Sequence, residues 1–303
     1  MIRLPTSRPR LALAAAALAL ATPIGCGGGD ESTGAPDHRR APAVERAEPP
    51  APDEGIPLGP NRLAERLSRT REDLHRAIDR WLAGPGAPGP TPREVTLYAL
   101  HHQRIYVLLG TRERLARAVR KRLRGEAGHE ARDVLAARRE LGSLSTPVPL
   151  RHFRTGPALP ARVLLRYYRK AERRFDVSWK VLAAVNFVES AFGRLRNKST
   201  AGAQGPMQFI PSTWTAYGMG GDVEDPHDAI MGAANYLRAS GAPENYSGAL
   251  HAYNPSSAYV DAVLRYTRRI RSDRRAYFAF HSWQVFVNTP SGIRRITGPG
   301  LGH

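Results

Sequence analysis

VLAAVNFVESAFGRLRNKSTAGAQGPMQF, residues 181–209, decides how this chain reads. Val181, Leu182, Val185 and Val188 recur at helical spacing, which predicts a buried helix. Ser178 stands where an N-cap is needed, since its hydroxyl can accept an orphan backbone N–H. Glu189 falls near the end of this helix, with Val185 and Asn186 on its face. A carboxyl group on a mostly apolar helix is desolvated, so its pKa rises and it holds a proton near neutral pH. A general acid needs that property. Beyond it, Gly193, Gly202 and Gly205 punctuate a loop that ends in Met207-Gln208-Phe209.

The flanking sequence is helical on both sides. Leu63, Leu67, Leu74, Ile78 and Trp81 mark one amphipathic helix, broken at Gly84 to Pro92. Thr91 reads as the cap of the next, with Pro92 at its first position, and Val95 to Leu109 is apolar as far as Gly110. Arg112 to Arg124 and Glu130 to Leu141 continue the pattern. His101 and His102 have no further His or Cys at ligand spacing, so they read as surface or core histidines and no metal site is expected. Downstream, helices are expected from Pro160 to Phe175, from Pro211 to Gly218, from Asp225 to Gly241, and from Asn245 to Ala252. Another is capped by Ser256 or Ser257, with Tyr259, Val260, Val263, Leu264 and Ile270 on one side. Ser282 to Val287, a turn at Thr289-Pro290-Ser291-Gly292 and Ile293 to Thr297 read as a hairpin, which must pack on the helices to persist.

The chain of 303 residues carries a net charge of +18. Residues 56–178 hold 26 Lys/Arg against 12 Asp/Glu, while residues 179–263 hold 5 against 7. The positive charge therefore lies outside the segment around Glu189. It reads either as solvated helix faces or as attraction to anionic wall polymers or lipid headgroups. Arg3, Arg8 and Arg10 precede an alanine/leucine run from Leu11 to Ala21, which reads as a signal segment. Two processing sites compete: Ala19-Leu20-Ala21, and Ile24-Gly25-Cys26, where Cys26 would be lipidated. Cys26 is the sole cysteine, so no intramolecular disulfide forms. The expected organisation is a signal peptide with lipobox over 1–26, a disordered linker over 27–57, a basic helical region over 58–155, a catalytic domain over 156–275 and a hairpin tail over 276–303. The expected location is extracytoplasmic, tethered to the membrane and facing the cell wall. A nucleic-acid partner would rest on the isoelectric point alone, and the signal segment argues against it.

Glu189-Ser190, the GAQGPMQF of Gly202 to Phe209, PSTW at 211–214, AANYL at 233–237 and AYN at 252–254 occur in order. Together they resemble the SLT-type lytic transglycosylases, over about residues 160–272. The GPMQF form is closer to membrane-bound B-type and actinobacterial members. The resemblance implies an all-α, lysozyme-like domain that cleaves the β-1,4 bond between N-acetylmuramic acid and N-acetylglucosamine in peptidoglycan strands, without water and without a cofactor. The product would end in 1,6-anhydro-N-acetylmuramic acid. Glu189 matches the family acid, which protonates the leaving oxygen and then deprotonates the muramic C6 hydroxyl. The substrate's N-acetyl group would stabilise the anomeric centre.

The residues themselves agree with this implication. Most glycosidases need two carboxylates at a set separation. The segment 179–203 contains only Glu189, and the next acids, Asp222, Glu224, Asp225 and Asp228, sit where capping is the ordinary role. By matching, Ser199, Met207, Gln208, Tyr253 and Asn254 become substrate-binding candidates, with the Tyr253 hydroxyl expected close to the acid. Against each stands a bland alternative: a hydroxyl satisfying its own loop for Ser199, core filling for Met207, a backbone-bonded core tyrosine for Tyr253. Tyr236 reads equally as a cleft aromatic or core, and Trp214 as a core anchor. Two rival functions remain open at this point: a hydrolase of the same bond, with water activated by Asp222, Glu224 or Asp225, and a non-catalytic wall-binding protein.

Overall fold

The computed structural model describes residues 48–84 and 89–301. The signal segment, Cys26 and residues 27–47 of the expected linker lie outside the described residues. The described residues are all-α apart from one small hairpin, as the hydrophobic periodicity predicts. None of the described helices is long and apolar enough to cross a membrane.

Pro60 opens α1 (Pro60–Ala83), its fixed φ suiting the first helical position, and Leu63, Leu67, Leu74 and Ile78 bury one face. The next helix, α2 (Arg93–Thr111), corrects the expected cap. Pro92 itself occupies the N-cap position, Thr91 caps nothing, and Thr96 bonds back to the Pro92 carbonyl. This helix is buried nearly all round, from Val95 to Leu109. Two arginine-rich helices follow, α3 (Glu113–Arg120) and α4 (Gly125–Ser143). The second half contains α5 (Ala161–Phe175), α6 (Trp179–Ser190), α7 (Pro211–Tyr217), α8 (Pro226–Ala239), α9 (Tyr246–Tyr253) and α10 (Ser257–Ser272). Ser178 caps α6, Asp225 caps α8, Asn245 caps α9 and Ser256 caps α10, each accepting a backbone N–H.

Three differences from the expected organisation concern boundaries. Residues 276–282 are not part of a tail: Arg275–Ser282 forms α11, and its Tyr277, Phe278 and Phe280 are buried. The hairpin proper is β1 (Phe286–Thr289) with β2 (Gly292–Arg295), antiparallel. It leans on α2, where Val107 joins Val285, Val287 and Ile293 in a small core, and Gln103 exchanges two hydrogen bonds with the backbone of Gln284 at 2.7 and 2.8 Å. Second, residues 48–57 contain no helix or strand but are held in place, not loose. Glu54 pairs with Arg66, and the carbonyls of Asp53 and Glu54 accept from Arg104. Third, the basic helical region is not a separate body. A single hydrophobic cluster runs from Leu63 on α1 through α6 to Trp283.

Buried charge ties the two halves together. Asp133 on α4 meets Arg269 at 2.8 Å and Arg268 at 2.8 Å, both on α10. Glu130, also on α4, is fully buried, yet His102 at 2.9 Å and Arg71 at 2.9 Å hold its carboxyl well below the usual range. His102 is thus a core histidine with a carboxylate partner. Its neighbour His101 is buried as well.

Candidate active site

The catalytic candidate rides on α6, which packs against α5, α8, α10 and α11. Most of α6 is buried, and only in its last turn do Phe187, Val188 and Glu189 become partly exposed. Burial raises the Glu189 carboxyl to about 8, against a smaller opposing pull from a hydrogen bond. That bond comes from Tyr259 on the first turn of α10, whose hydroxyl donates to Oε1 at 2.6 Å. Tyr259 is fully buried, and its own pKa is raised well above the ordinary value by that burial and by the nearby Glu189. It therefore stays a donor across physiological pH. With Oε1 accepting this bond, the carboxyl proton is left to Oε2. Among the described residues, no other carboxylate contributes to the Glu189 shift.

The backbone immediately after the acid is unusual. Ala191, Phe192 and Gly193 all have positive φ, at 51°, 62° and 82°. Two of these are not glycine, so the turn must be over-determined by its surroundings. Ser190 supplies much of that. Its hydroxyl donates to the Pro206 carbonyl at 2.6 Å and accepts from Gly193 N–H at 2.8 Å. Asn186, one turn earlier, donates to the same carbonyl at 2.7 Å and accepts from the Tyr168 hydroxyl at 2.6 Å. This buried network fastens the glycine loop to the end of α6.

The loop closes on itself between Gln204 and Phe209, which exchange backbone hydrogen bonds at 2.9 and 3.0 Å. Gly205 is indispensable there. Its φ is +74°, and a Cβ would lie 2.0 Å from the Val223 carbonyl oxygen. Gln208 also has positive φ, and its amide donates to the carbonyls of Asn197 and Gly205 at 3.2 and 3.0 Å.

The expected binding residues are distributed unevenly around Glu189. Gln208 is partly exposed at the loop tip. Met207 is fully buried, so its side chain fills core and does not line a cleft, while its carbonyl accepts from the Tyr253 hydroxyl at 2.6 Å. Tyr253 was expected to address the acid. Its hydroxyl instead anchors the loop, and the tyrosine on the acid is Tyr259. Tyr253 is close enough to Glu189 for the carboxylate to raise its pKa, but burial is the larger cause. The Ser199 hydroxyl accepts the N–H groups of Ala201 and Ala203 at 3.2 and 3.0 Å, the loop-satisfying role. Asn254 is buried at the end of α9. Trp214 packs edge-on to Phe209 at 5.0 Å, as a core anchor does. Tyr217, Tyr236 and Tyr253 form a partly exposed aromatic row, with ring centroids 4.6 and 5.5 Å apart.

Of the downstream acids, Asp222, Asp225 and Asp228 are committed to nearby backbone N–H groups, while Glu224 is exposed. Asp222 accepts the Glu224 N–H at 2.9 Å, and Asp225 caps α8 through the Asp228 N–H at 3.0 Å. Asp225, His227 and Asp228 do bring ligand atoms within 4.8 Å of one another. Lys170 Nζ lies 3.0 Å from His227 Nε2, however, and a cation there opposes metal binding.

Periodicity places Tyr259 on an apolar helix face and gives no hint of its partner. The available signal was chemical: a tyrosine buried to its hydroxyl must bond something. Residues 166–274 match the family model described as the transglycosylase SLT domain. No solved structure matches the chain.

Proposed function

For a chain that bears a transglycosylase SLT domain and so acts on peptidoglycan glycan strands, we propose that Glu189 alone cleaves the N-acetylmuramic acid–N-acetylglucosamine β-1,4 bond without water. The observation that carries this reading is the partly exposed Glu189, still protonated to about pH 8 and bonded through one oxygen to Tyr259. In the first step the Oε2 proton passes to the glycosidic oxygen as the C1–O bond breaks. The N-acetylglucosamine end leaves as an alcohol, and Glu189 becomes a carboxylate. Positive charge at the anomeric carbon is met by the substrate's own N-acetyl oxygen. In the second step the carboxylate takes the proton of the muramic C6 hydroxyl, whose oxygen closes on C1. Glu189 ends protonated, as it began, and no external nucleophile is consumed.

One residue suffices because the substrate supplies the second group. That fits a site in which Asp222 and Asp225 already satisfy backbone N–H groups. Digestion of purified strands in ¹⁸O-labelled water tests the assignment. The expected muropeptides end in the anhydro sugar, lighter by one water than a hydrolysis product, and carry no label. Labelled reducing ends would instead establish the hydrolase.

The location follows the same reading. An enzyme of this substrate belongs outside the cytoplasmic membrane, and the signal-like segment with Ile24-Gly25-Cys26 supplies export and a lipid anchor. Membrane fractionation of Cys26→Ser checks it. The variant is expected in the soluble fraction, and a wild type already soluble and beginning after Ala21 would refute the anchor.

A further inference from the structure

A groove of about 600 Å³ runs along α5, lined by no residue of the Glu189 site, with the end of α1 and the start of α11 as its other edges. Its floor is Leu82 and Leu165, and the remaining lining residues are all arginines. Four of them, Arg162, Arg166, Arg169 and Arg173, follow one another at spacings of four, three and four residues, so they form a single stripe. The fifth, Arg274, faces them from just before α11.

Like charges at these spacings repel, so a stripe of them is unfavourable unless something anionic lies along it. Some of these groups are pinned from behind. Arg162 donates to the Leu82 carbonyl at 3.0 Å, Arg169 lies over the Trp179 ring at 5.0 Å, and Arg274 lies over Phe278 at 5.8 Å. Arg169 also reaches Glu172 at 3.5 Å, on the same helix and outside the lining. Among the described residues, Arg166 and Arg173 have no carboxylate partner, and both are exposed.

We propose that this groove binds a phosphodiester-linked anionic polymer of the cell envelope, holding the enzyme beside its glycan substrate. The guanidinium fork matches phosphate oxygens two at a time. The stripe spans about 16 Å at 1.5 Å per residue, with steps of about 4.5 to 6 Å. A polymer with a phosphate in every monomer presents charge at comparably short intervals. Peptidoglycan carries its free carboxylates on stems borne once per disaccharide, which is too sparse to engage successive arginines. A bilayer is flat, and the groove is concave. The sequence offered attraction to anionic polymers only for the positive charge outside the Glu189 segment as a whole; this groove places it on α5, and it does not depend on the catalytic mechanism.

The test is binding of fluorescently labelled poly(glycerol phosphate) to the full chain, followed by anisotropy across a salt series. Arg166→Gln/Arg173→Gln is compared with Arg120→Gln/Arg132→Gln, which removes the same charge from a second basic groove between α3 and α4. The expected result is a loss of about tenfold or more at 0.1 M salt for the first pair, and a log–log salt slope shallower by about 1.4. The second pair should stay within about threefold of wild type. Equal losses from both pairs would reduce the effect to net charge and overturn the site, as would no loss from the first. Anionic vesicles or soluble glycan strands that displace the polymer at matched charge would overturn the choice of ligand. Should the double variant melt early, Arg166→Gln alone, at an exposed helical position, is compared with Arg120→Gln alone, with a slope shallower by about 0.7 expected for the first. Muropeptide release by the same preparations should be unchanged, which separates this result from a failure of the catalytic assignment.

Discussion

Glu189 was readable as an acid from one line of sequence because a lone carboxyl on an apolar helix carries a desolvation cost that an ordinary surface acid avoids. Tyr259 was not, since nothing in its spacing separates a donor to an acid from a core aromatic. Glu189→Gln is nearly isosteric and keeps the Tyr259 bond, but it neither delivers nor takes a proton. Loss of activity at or beyond roughly 10⁴-fold is expected in a muropeptide assay, and full activity would remove Glu189 from the site. The same substitution has a stability signature. The unfolded carboxyl ionises near 4.5, whereas the folded one keeps its proton to about 8. A raised carboxyl pKa means that the native state holds more protons in that window. Wild type should therefore lose stability as pH rises from about 4.5 to 8, by up to about 1.4 kcal/mol per pH unit, and level off above. Glu189→Gln should be flat across the window in chemical denaturation, and parallel curves would refute the shift. Tyr259→Phe tests positioning. Its hydrogen bond pulls the acid's pKa down, so its removal should move the alkaline limb of the activity profile to higher pH while lowering the rate about 10- to 100-fold. A rate loss with an unmoved limb would mark Tyr259 as structural only.

At the scale of elements, helix periods were legible from the sequence, and so were caps where Ser or Asp stood at a boundary, as at Ser178, Asp225 and Ser256, but not at Thr91-Pro92, where the proline takes the N-cap position. α11 was not legible, because RAYFAFHS is apolar nearly all round and shows no amphipathic face. Its burial is what the catalytic helix rests on. Phe187 of α6, two residues before the acid, stacks on Phe280 at 5.5 Å and meets Tyr266 edge-on at 4.8 Å. Phe280→Ala is expected to cost about 3 to 5 kcal/mol in denaturant unfolding and to reduce activity of the folded fraction. The glycine loop is the other support. Gly205→Ala would force a Cβ onto a backbone carbonyl at a positive φ. Because the clashing atom is main chain, the loop itself must shift, carrying Pro206 away from Ser190 and Asn186. Activity should fall more than thermal stability, and a variant with wild-type turnover would show that the loop does not frame the acid.

At the scale of the whole molecule, the described residues of the basic region and of the catalytic segment share one hydrophobic core. The sequence reading separated a basic region, 58–155, from the catalytic segment because the motifs of the family resemblance reach back only to about residue 160, although the excess of positive charge runs on to residue 178. Composition is blind to which faces meet. The most extensive helix pairing joins α4 of the first region to α10 of the second, and α10 carries Tyr259. At that seam Asp133 is 4 % exposed and Arg269 8 % exposed, so each ion depends on the other for solvation it has lost. Asp133→Asn leaves Arg269, Arg268 and Arg265 facing one another without their shared carboxylate. Removing one partner of a buried pair typically costs about 3 to 5 kcal/mol. The prediction is a single cooperative thermal transition for wild type, followed alike by tryptophan fluorescence and circular dichroism, and the same single transition at lower temperature for Asp133→Asn. A chain beginning at residue 156 would expose the α10 face that α4 covers, together with the α11 face against α1. It should be insoluble or molten, although it retains the whole family match. Two separable transitions, or a stable and active fragment from residue 156, would show that the helical extension is an appendage and not part of the catalytic core.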